Sequence, residues 1–323
     1  MRNRFMDWFG LSAPIVQAPI GSIANVALAT AVGAGGGLGS MAMTWTPRDE
    51  GLAAATQLNA AGVPFLFNFV LRFGTEAPRW YVDAGLPAIT LSWGVDAGLI
   101  ACLKSSGTKV GVQVGSVAGA RAAISAGAEF IIVQGVEAGG HVQSSTPLSR
   151  VLKGVISVAG DATPVIAAGG LATARDIADA INAGAQGVMM GTRFVACEES
   201  LAHDQYKQAL VAAQADDTVY THCFEIGWPY AMSRVLRNST FETWEAAGNP
   251  EAPQRPGEGD IVFRRGNESL VRYCDTPPMT GDEGDLLGAC LYAGTSVQGI
   301  TSVRPAAELV SSMWAEAQLL LSA

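Results

Sequence analysis

The chain has 323 residues, of which 49% are hydrophobic and only 15% charged, a composition that argues against disorder and suits a large core of strands covered on both faces. Its formal net charge of −9 and pI near 4.9 argue against nucleic acid as a partner, because holding a phosphate backbone takes a basic surface. There is no apolar run of about 18 residues to cross a membrane, and the first ten residues carry Arg2, Arg4, Asp7 and Trp8 without an apolar signal core, so a soluble cytoplasmic protein is expected.

Taken in chain order, the first two thirds repeat one unit, in which a helix ends in a small residue plus glycine and a short apolar strand follows. Pro14-Ile15-Val16-Gln17 is the first strand. The repeats then give Leu38-Gly39-Ser40, Phe65-Leu66-Phe67, Ala88-Ile89-Thr90-Leu91, Lys109-Val110-Gly111-Val112, Phe130-Ile131-Ile132-Val133, Pro164-Val165-Ile166 and Gly187-Val188-Met189. Eight apolar strands alternating with helices predict a parallel sheet covered on both sides, and eight is the number that closes a (β/α)8 TIM barrel. A doubly wound open sheet is the alternative. The glycine-rich run 33–39 follows a helix and precedes a strand, the reverse of a dinucleotide fingerprint, and reads as a turn.

Spacing locates the site. Gly62, Gly85, Gly107 and Gly127 follow at steps of 23, 22 and 20 residues, but Gly160 follows Gly127 at 33. The surplus lies after the sixth strand, in Gln134-Gly135-Val136-Glu137-Ala138-Gly139-Gly140-His141, on the face where barrels keep their chemistry. His141, one of three histidines, is the candidate catalytic residue; Glu137 reads as an anchor for backbone N–H groups or Arg150. Paired glycine turns, Gly169-Gly170 after the seventh strand and Gly191-Thr192 after the eighth, fit the phosphate site common in barrels.

Beyond residue 192 the repeat is lost. The domain organisation expected is a barrel over 1–192, a small, mainly helical insertion or lid over 193–290 with a helix near 201–214 and a Pro/Gly-rich stretch at 248–266, and a return segment over 291–323 whose helix, with Ala306, Leu309, Val310, Met313 and Ala317 on one face, completes the barrel. His203 and His222 fall in the middle region and read as surface or lid residues. The five cysteines lack metal or redox spacing and read as inert thiols, which leaves no metal site.

Residues 134–141, Ala167-Ala168-Gly169-Gly170, Gly191-Thr192-Arg193-Phe194 and the strand at 14–19 together resemble the nitronate monooxygenases, formerly called 2-nitropropane dioxygenases. Their superfamily includes flavin-dependent enoyl-acyl carrier protein reductases and some NADH:quinone reductases. The resemblance covers nearly the whole chain and implies an FMN-dependent barrel oxidoreductase. It places the flavin against Ala18, Pro19 and Ile20, with Asn68, Gln134 and Gly139 at its ring or ribityl chain, Gly169, Gly170, Gly191 and Thr192 at its phosphate, and His141 facing the substrate. Gln134 favours the nitronate branch, whereas Thr295 stands where the family usually has Gln. The activity implied is oxidation of alkyl nitronates or nitroalkanes by O2 to carbonyl compounds and nitrite, with His141 as hydrogen-bond donor or as base. The alternative is an NAD(P)H-dependent reductase of enoyl thioesters or quinones. The partners are accordingly a small-molecule substrate and O2, with NAD(P)H in the second reading, and the oligomeric state, a homodimer included, stays open.

Overall fold

Alternation along eight short strands decides the architecture of the computed structural model, which describes residues 3–322; Met1, Arg2 and Ala323, counted above in the first and last segments, lie outside the described residues. The strands are β1 (Ile15–Gln17), β2 (Gly39–Ala42), β3 (Phe65–Val70), β4 (Ala88–Ser92), β5 (Lys109–Val114), β6 (Phe130–Gln134), β7 (Val165–Ala168) and β8 (Gly187–Met190). They pair in parallel in sequence order from β2 to β8, and β8 pairs with β1. A parallel bridge between Val16 and Leu38 joins β1 to the approach of β2, with the Gln17 N–H donating to the Leu38 carbonyl at 3.0 Å. The Gln17 side chain finishes this seam, its Oε1 accepting the Ser40 N–H at 2.8 Å. The sheet is therefore a (β/α)8 barrel and not an open one.

Successive strand residues serve two cores. Phe67, Ile89, Val112, Ile131 and Val188 pack outward with the helices, whereas Val16, Leu66, Ala88, Phe130, Ile132, Ile166 and Met189 form an inner cluster with Phe5, Met6 and Leu11. The short helix Arg4–Phe9, started by the Asn3 side chain, thus plugs the N-terminal end of the barrel, with Phe5 edge-on to Phe130 at 5.5 Å. Towards the opposite end the inward positions become polar. Asn68, Gln113 and Gln134 are the inward residues one or two steps further along their strands, and they border an open cavity.

The segment expected to be mainly helical is mixed. Between the helices Asp204–Ala212 and Ser239–Ala246, strands Thr218–Thr221 and Ser233–Leu236 pair antiparallel. The second of these also pairs with the two-residue strand Gly140–His141 of the enlarged loop, Ser233 opposite His141. A further hairpin, Ile261–Arg265 with Glu268–Val271, turns at Gly266-Asn267; that dipeptide between apolar runs is a hairpin signal the helical reading passed over. The final helix runs Ala306–Ser322 with Ala306, Leu309, Val310, Met313 and Ala317 buried, and the Glu199 carboxylate accepts its first N–H at 3.0 and 3.1 Å.

One glycine inside the barrel carries a test of this packing. A Cβ on Gly111 would lie 2.3 Å from the Phe130 ring, so Gly111→Ala is expected to cost about 1–3 kcal/mol through overpacking. Adding Phe130→Leu should recover part of that loss in urea unfolding; a double variant less stable than the single one would show that the inner core is not limited by this contact.

Candidate active site

At the C-terminal end of the barrel lies a cavity of about 740 Å³, within the usual range for cofactor and substrate sites. All eleven residues singled out from the sequence border it: Ala18, Pro19 and Ile20 past β1, Asn68 on β3, Gln134, Gly139 and His141 at β6 and its loop, Gly169 and Gly170 past β7, and Gly191 and Thr192 past β8.

The two glycine turns differ in kind. Gly169 and Gly170 have φ of +108° and +73°, left-handed values that glycine adopts without strain, and a Cβ on Gly170 would meet the Glu137 Cβ at 2.9 Å. Gly191 has an ordinary φ of −103°, and a Cβ there meets nothing nearer than 3.6 Å. Among the described residues, no protein acceptor takes the main-chain N–H of Gly169, Gly170, Gly191 or Thr192. The next turn is different: the Asp176 carboxylate accepts the N–H groups of Ala172 and Thr173 at 2.9 and 2.8 Å in the capping box of helix Ala174–Asn182. The donors left for an anion are those of the glycine turns, at two adjacent strand ends. This is the donor set that a terminal phosphate requires.

Side-chain amides divide the labour on the opposite wall. Asn68 donates through Nδ2 to Thr90 Oγ1 at 3.1 Å, which leaves its Oδ1 with no protein donor among the described residues. Gln134 is engaged at both ends of its amide, accepting the Gln143 N–H at 2.7 Å and donating to the His141 carbonyl at 3.4 Å; it holds the loop that carries His141. Glu137 is the expected anchor, both carboxylate oxygens accepting the Leu148 N–H at 3.0 and 3.1 Å at the start of helix Leu148–Ala159, with no bond to Arg150 among the described residues. Thr192 Oγ1 accepts the Gly294 N–H at 3.0 Å, and Gly294 packs so tightly on Gly139 that a Cβ on either would come within 2.8 Å of the other's backbone nitrogen. Thr295, in the segment that departs from the family pattern, donates its N–H to the Glu137 carbonyl at 3.0 Å.

His141 stacks on Trp228, ring centroids 4.3 Å apart and planes 19° from parallel, and its Nε2 is buried without a hydrogen-bond partner. Burial pulls its pKa down to about 4, since the imidazolium would lose hydration and gain no counter-charge. The side chain is therefore neutral at physiological pH. Asp275, also on the cavity wall, has its pKa pushed up to about 6 by burial.

Sequence reasoning did not find Asp275 or Trp228, which come from the stretch without repeat order, where no position is tied to a strand end. Trp45 and Trp93, also on the cavity wall, were within reach, because each follows the end of a barrel strand. His203 caps helix Asp204–Ala212, its Nδ1 accepting the Gln205 N–H at 3.1 Å, and His222 is exposed. Cys197, Cys223, Cys274 and Cys290 are buried, and Cys102 partly so; burial drives the Cys197 and Cys223 thiols up to about 12, which makes them poor nucleophiles. No cluster of possible metal ligands occurs among the described residues, and no helix among them is long and apolar enough to cross a membrane.

Comparison with known proteins sets this geometry in a family. The nitronate monooxygenase family model matches residues 79–316. A nitronate monooxygenase of Pseudomonas aeruginosa is 28% identical over 97% of this chain and 98% of its own. A (3aS,4S,5R,7aS)-5-hydroxy-7a-methyl-1-oxo-octahydro-1H-indene-4-carboxyl-CoA dehydrogenase of Mycobacterium tuberculosis is 34% identical over 76% of this chain and 69% of its own. Among solved structures, the nitroalkane oxidase of Streptomyces ansochromogenes superposes with a TM-score of 0.79 at 28% identity, covering 98% of this chain and 99% of that one. With the family model matched over residues 79–316, most of its length, the chain belongs to the nitronate monooxygenase family of oxidoreductases.

Proposed function

We propose that this chain binds FMN and oxidises alkyl nitronates, and more slowly the parent nitroalkanes, with O2 as electron acceptor. The observation that carries the reading is the joining, in one cavity, of unengaged N–H groups on two glycine turns with a neutral, unpartnered imidazole. The family implies a flavin. FMN, with one terminal phosphate, matches one donor set at the ends of β7 and β8, and a dinucleotide would need a second phosphate cradle. Gly169, Gly170, Gly191 and Thr192 would hold the FMN phosphate, and the flavin would supply the transfer of electrons from substrate to O2, the products then being a carbonyl compound and nitrite.

The protein's own groups act on the anion. A nitronate carries its charge on two oxygens, and a neutral imidazole can donate one hydrogen bond to such an oxygen without first losing a proton. The approaching anion also stabilises the imidazolium and raises the His141 pKa, so proton uptake becomes easier when substrate is bound than in the empty cavity. As a base towards a neutral nitroalkane, an imidazole held near 4 is weak. The depressed pKa therefore favours donor over base for His141. Residues 227–228 and 275–277 line the cavity together with the barrel, and burial beside them would strengthen the contact.

A second reading, dehydrogenation or reduction at a carbon beside an acyl thioester, is favoured by one observation, the 34% identity to the CoA-thioester dehydrogenase. An anaerobic spectrum discriminates: bleaching of the flavin by a nitronate without nucleotide supports the first, and bleaching only by NAD(P)H the second.

Four outcomes are expected. Gly191→Asp sets a carboxylate at the phosphate without backbone strain, so the variant should fold and purify with little flavin, whereas Gly170→Asp mixes that repulsion with steric conflict. Mass spectrometry of flavin released from the wild type should show FMN; FAD would refute the single-phosphate assignment. His141→Ala should keep its flavin and lose about a hundredfold in turnover, with nitronate and nitroalkane losing alike if donation dominates. A loss confined to nitroalkanes would return the base role. For pH, the depressed His141 pKa keeps the ring neutral at all pH values above about 4, so the free enzyme should show no His141 break between pH 5 and 8. Asp275 becomes charged as pH rises through about 6 and repels an anionic substrate, so KM for a preformed nitronate should rise above that pH. Asp275→Asn should flatten this rise, and a profile unchanged by the substitution would remove Asp275 from the substrate's surroundings.

A further inference from the structure

The stack of Trp228 on His141 is one contact in a larger aromatic surface. The Trp228 ring also meets Trp93 at 5.3 Å, Phe73 at 4.9 Å and Trp45 at 6.1 Å between centroids. Phe73 in turn meets Trp45 at 5.0 Å and Tyr230 at 6.1 Å, and the Arg72 guanidinium lies over the Tyr230 ring at 4.3 Å. These rings come from the loops after β2, β3 and β4 and from the region after β8. Trp45, Trp93 and Trp228 line the cavity, and Phe73 and Tyr230 continue the surface outward from it.

Fastening one segment to another does not require the rings to be open to water. Yet Trp45 is 60% exposed, Tyr230 52% and Phe73 38%, so each keeps a free face beside the cavity mouth, and a contiguous exposed aromatic patch continuous with a cavity is a ligand surface more often than an accident. Trp93 adds a second sign. Its φ of +59° is a left-handed value that a bulky residue adopts only against strain, and such strain gathers at functional sites. The strained backbone brings the Trp93 ring against Trp228. A short alkyl chain on the reacting carbon would leave the exposed outer rings wet, whereas a flat apolar group carried further out would cover them.

Resting on the nitronate reading for its reacting end, we infer that this site takes substrates bearing an aromatic or other flat apolar group beyond the reacting carbon, seated on the exposed faces of Trp45 and Phe73, with the buried Trp228 ring backing them. The geometry makes these rings specificity determinants: they touch the substrate's tail and not the atoms that react.

The test compares the flavin-loaded enzyme on the nitronates of 2-phenyl-1-nitroethane and nitroethane by oxygen uptake. The expected kcat/KM ratio is at least about tenfold in favour of the phenyl compound, and the Trp45→Ala/Phe73→Ala double variant should reduce that ratio about tenfold, the scale of two lost ring contacts. Turnover of both compounds with a ratio near one overturns the inference and leaves the nitronate reading standing, the rings then serving only to fasten the loops. A parallel arm needs no turnover. 3-Phenylpropanoate and propanoate, whose planar carboxylates stand in for a nitronate, are titrated against the flavin absorbance. If neither nitronate is oxidised but phenylpropanoate binds about tenfold more tightly and the double variant loses that preference, the nitronate reading fails and the aromatic subsite survives; equal binding removes it. If the double variant does not hold flavin, Tyr230→Ala at the outer rim reads the same ratio, with a two- to threefold decrease expected and no decrease counting against the proposal.

Discussion

The open end of this barrel depends on how one loop is gripped. Residues 135–143 leave β6 as a surplus length of chain, and a loop so rich in glycine would lose much entropy on settling into one shape. It is held on every side. Gln134 bonds it from within, Glu137 ties it to the next helix, and the Arg234 guanidinium donates to the Val136 carbonyl through Nε at 3.1 Å and Nη2 at 2.9 Å. Hydrogen bonds from a charged group contribute about 1.5–3 kcal/mol, enough to fix a loop that has no apolar core of its own. Ser233 and Arg234 pair with it as a strand, and Gly294 closes against Gly139 where no side chain fits. His141 reaches its place because all of these contacts agree.

This arrangement changes the meaning of residues 193–290. They supply the strand that pairs with the loop, the arginine that holds it, the tryptophan that stacks on the histidine and the aspartate that shares its cavity. Residues of the barrel and of this added region line one cavity, and neither wall is complete without the other. Burial follows from that closure. It keeps His141 neutral and lifts the Asp275 carboxyl towards neutrality.

The barrel was legible because its eight strands are largely apolar on both faces and a small residue plus glycine precedes seven of them; these are local necessities, and they recur along the chain. The site residues past β1, β6, β7 and β8 were legible for a related reason, that strand ends in a barrel converge on one point. Trp228 and Asp275 were not. Their positions follow from an irregular chain whose course is set by tertiary contacts such as the Arg255 ion pairs with Glu225 and Glu258, and no periodicity in the sequence encodes those. The mixed character of the same region was half visible, in the Gly266-Asn267 turn between apolar runs, and was obscured by the polar helix beside it. Gln134 shows a subtler limit: its place beside the cavity was foreseeable, but only the structure shows that its amide faces the loop with both ends engaged.

A single cavity can suit both a nitronate and the enolate of an acyl thioester because the two are alike where the protein meets them. Each is a planar carbon anion delocalised onto oxygen, so each asks for a neutral donor, a flat redox surface and a dry enclosure. On the proposed reading, the glycine turns and His141 would answer those shared requirements and would not by themselves distinguish the two chemistries. Distinction has to come from groups that touch the remainder of the substrate, and in a barrel those lie on the loops that vary. Here they are the aromatic rings around Trp228 and the carboxyl group of Asp275, which repels a second negative charge once ionised. On the proposed reading, the barrel loops carrying Trp45, Phe73 and Trp93 would act together with the region carrying Trp228 and Asp275 in setting which carbon anion reaches the histidine.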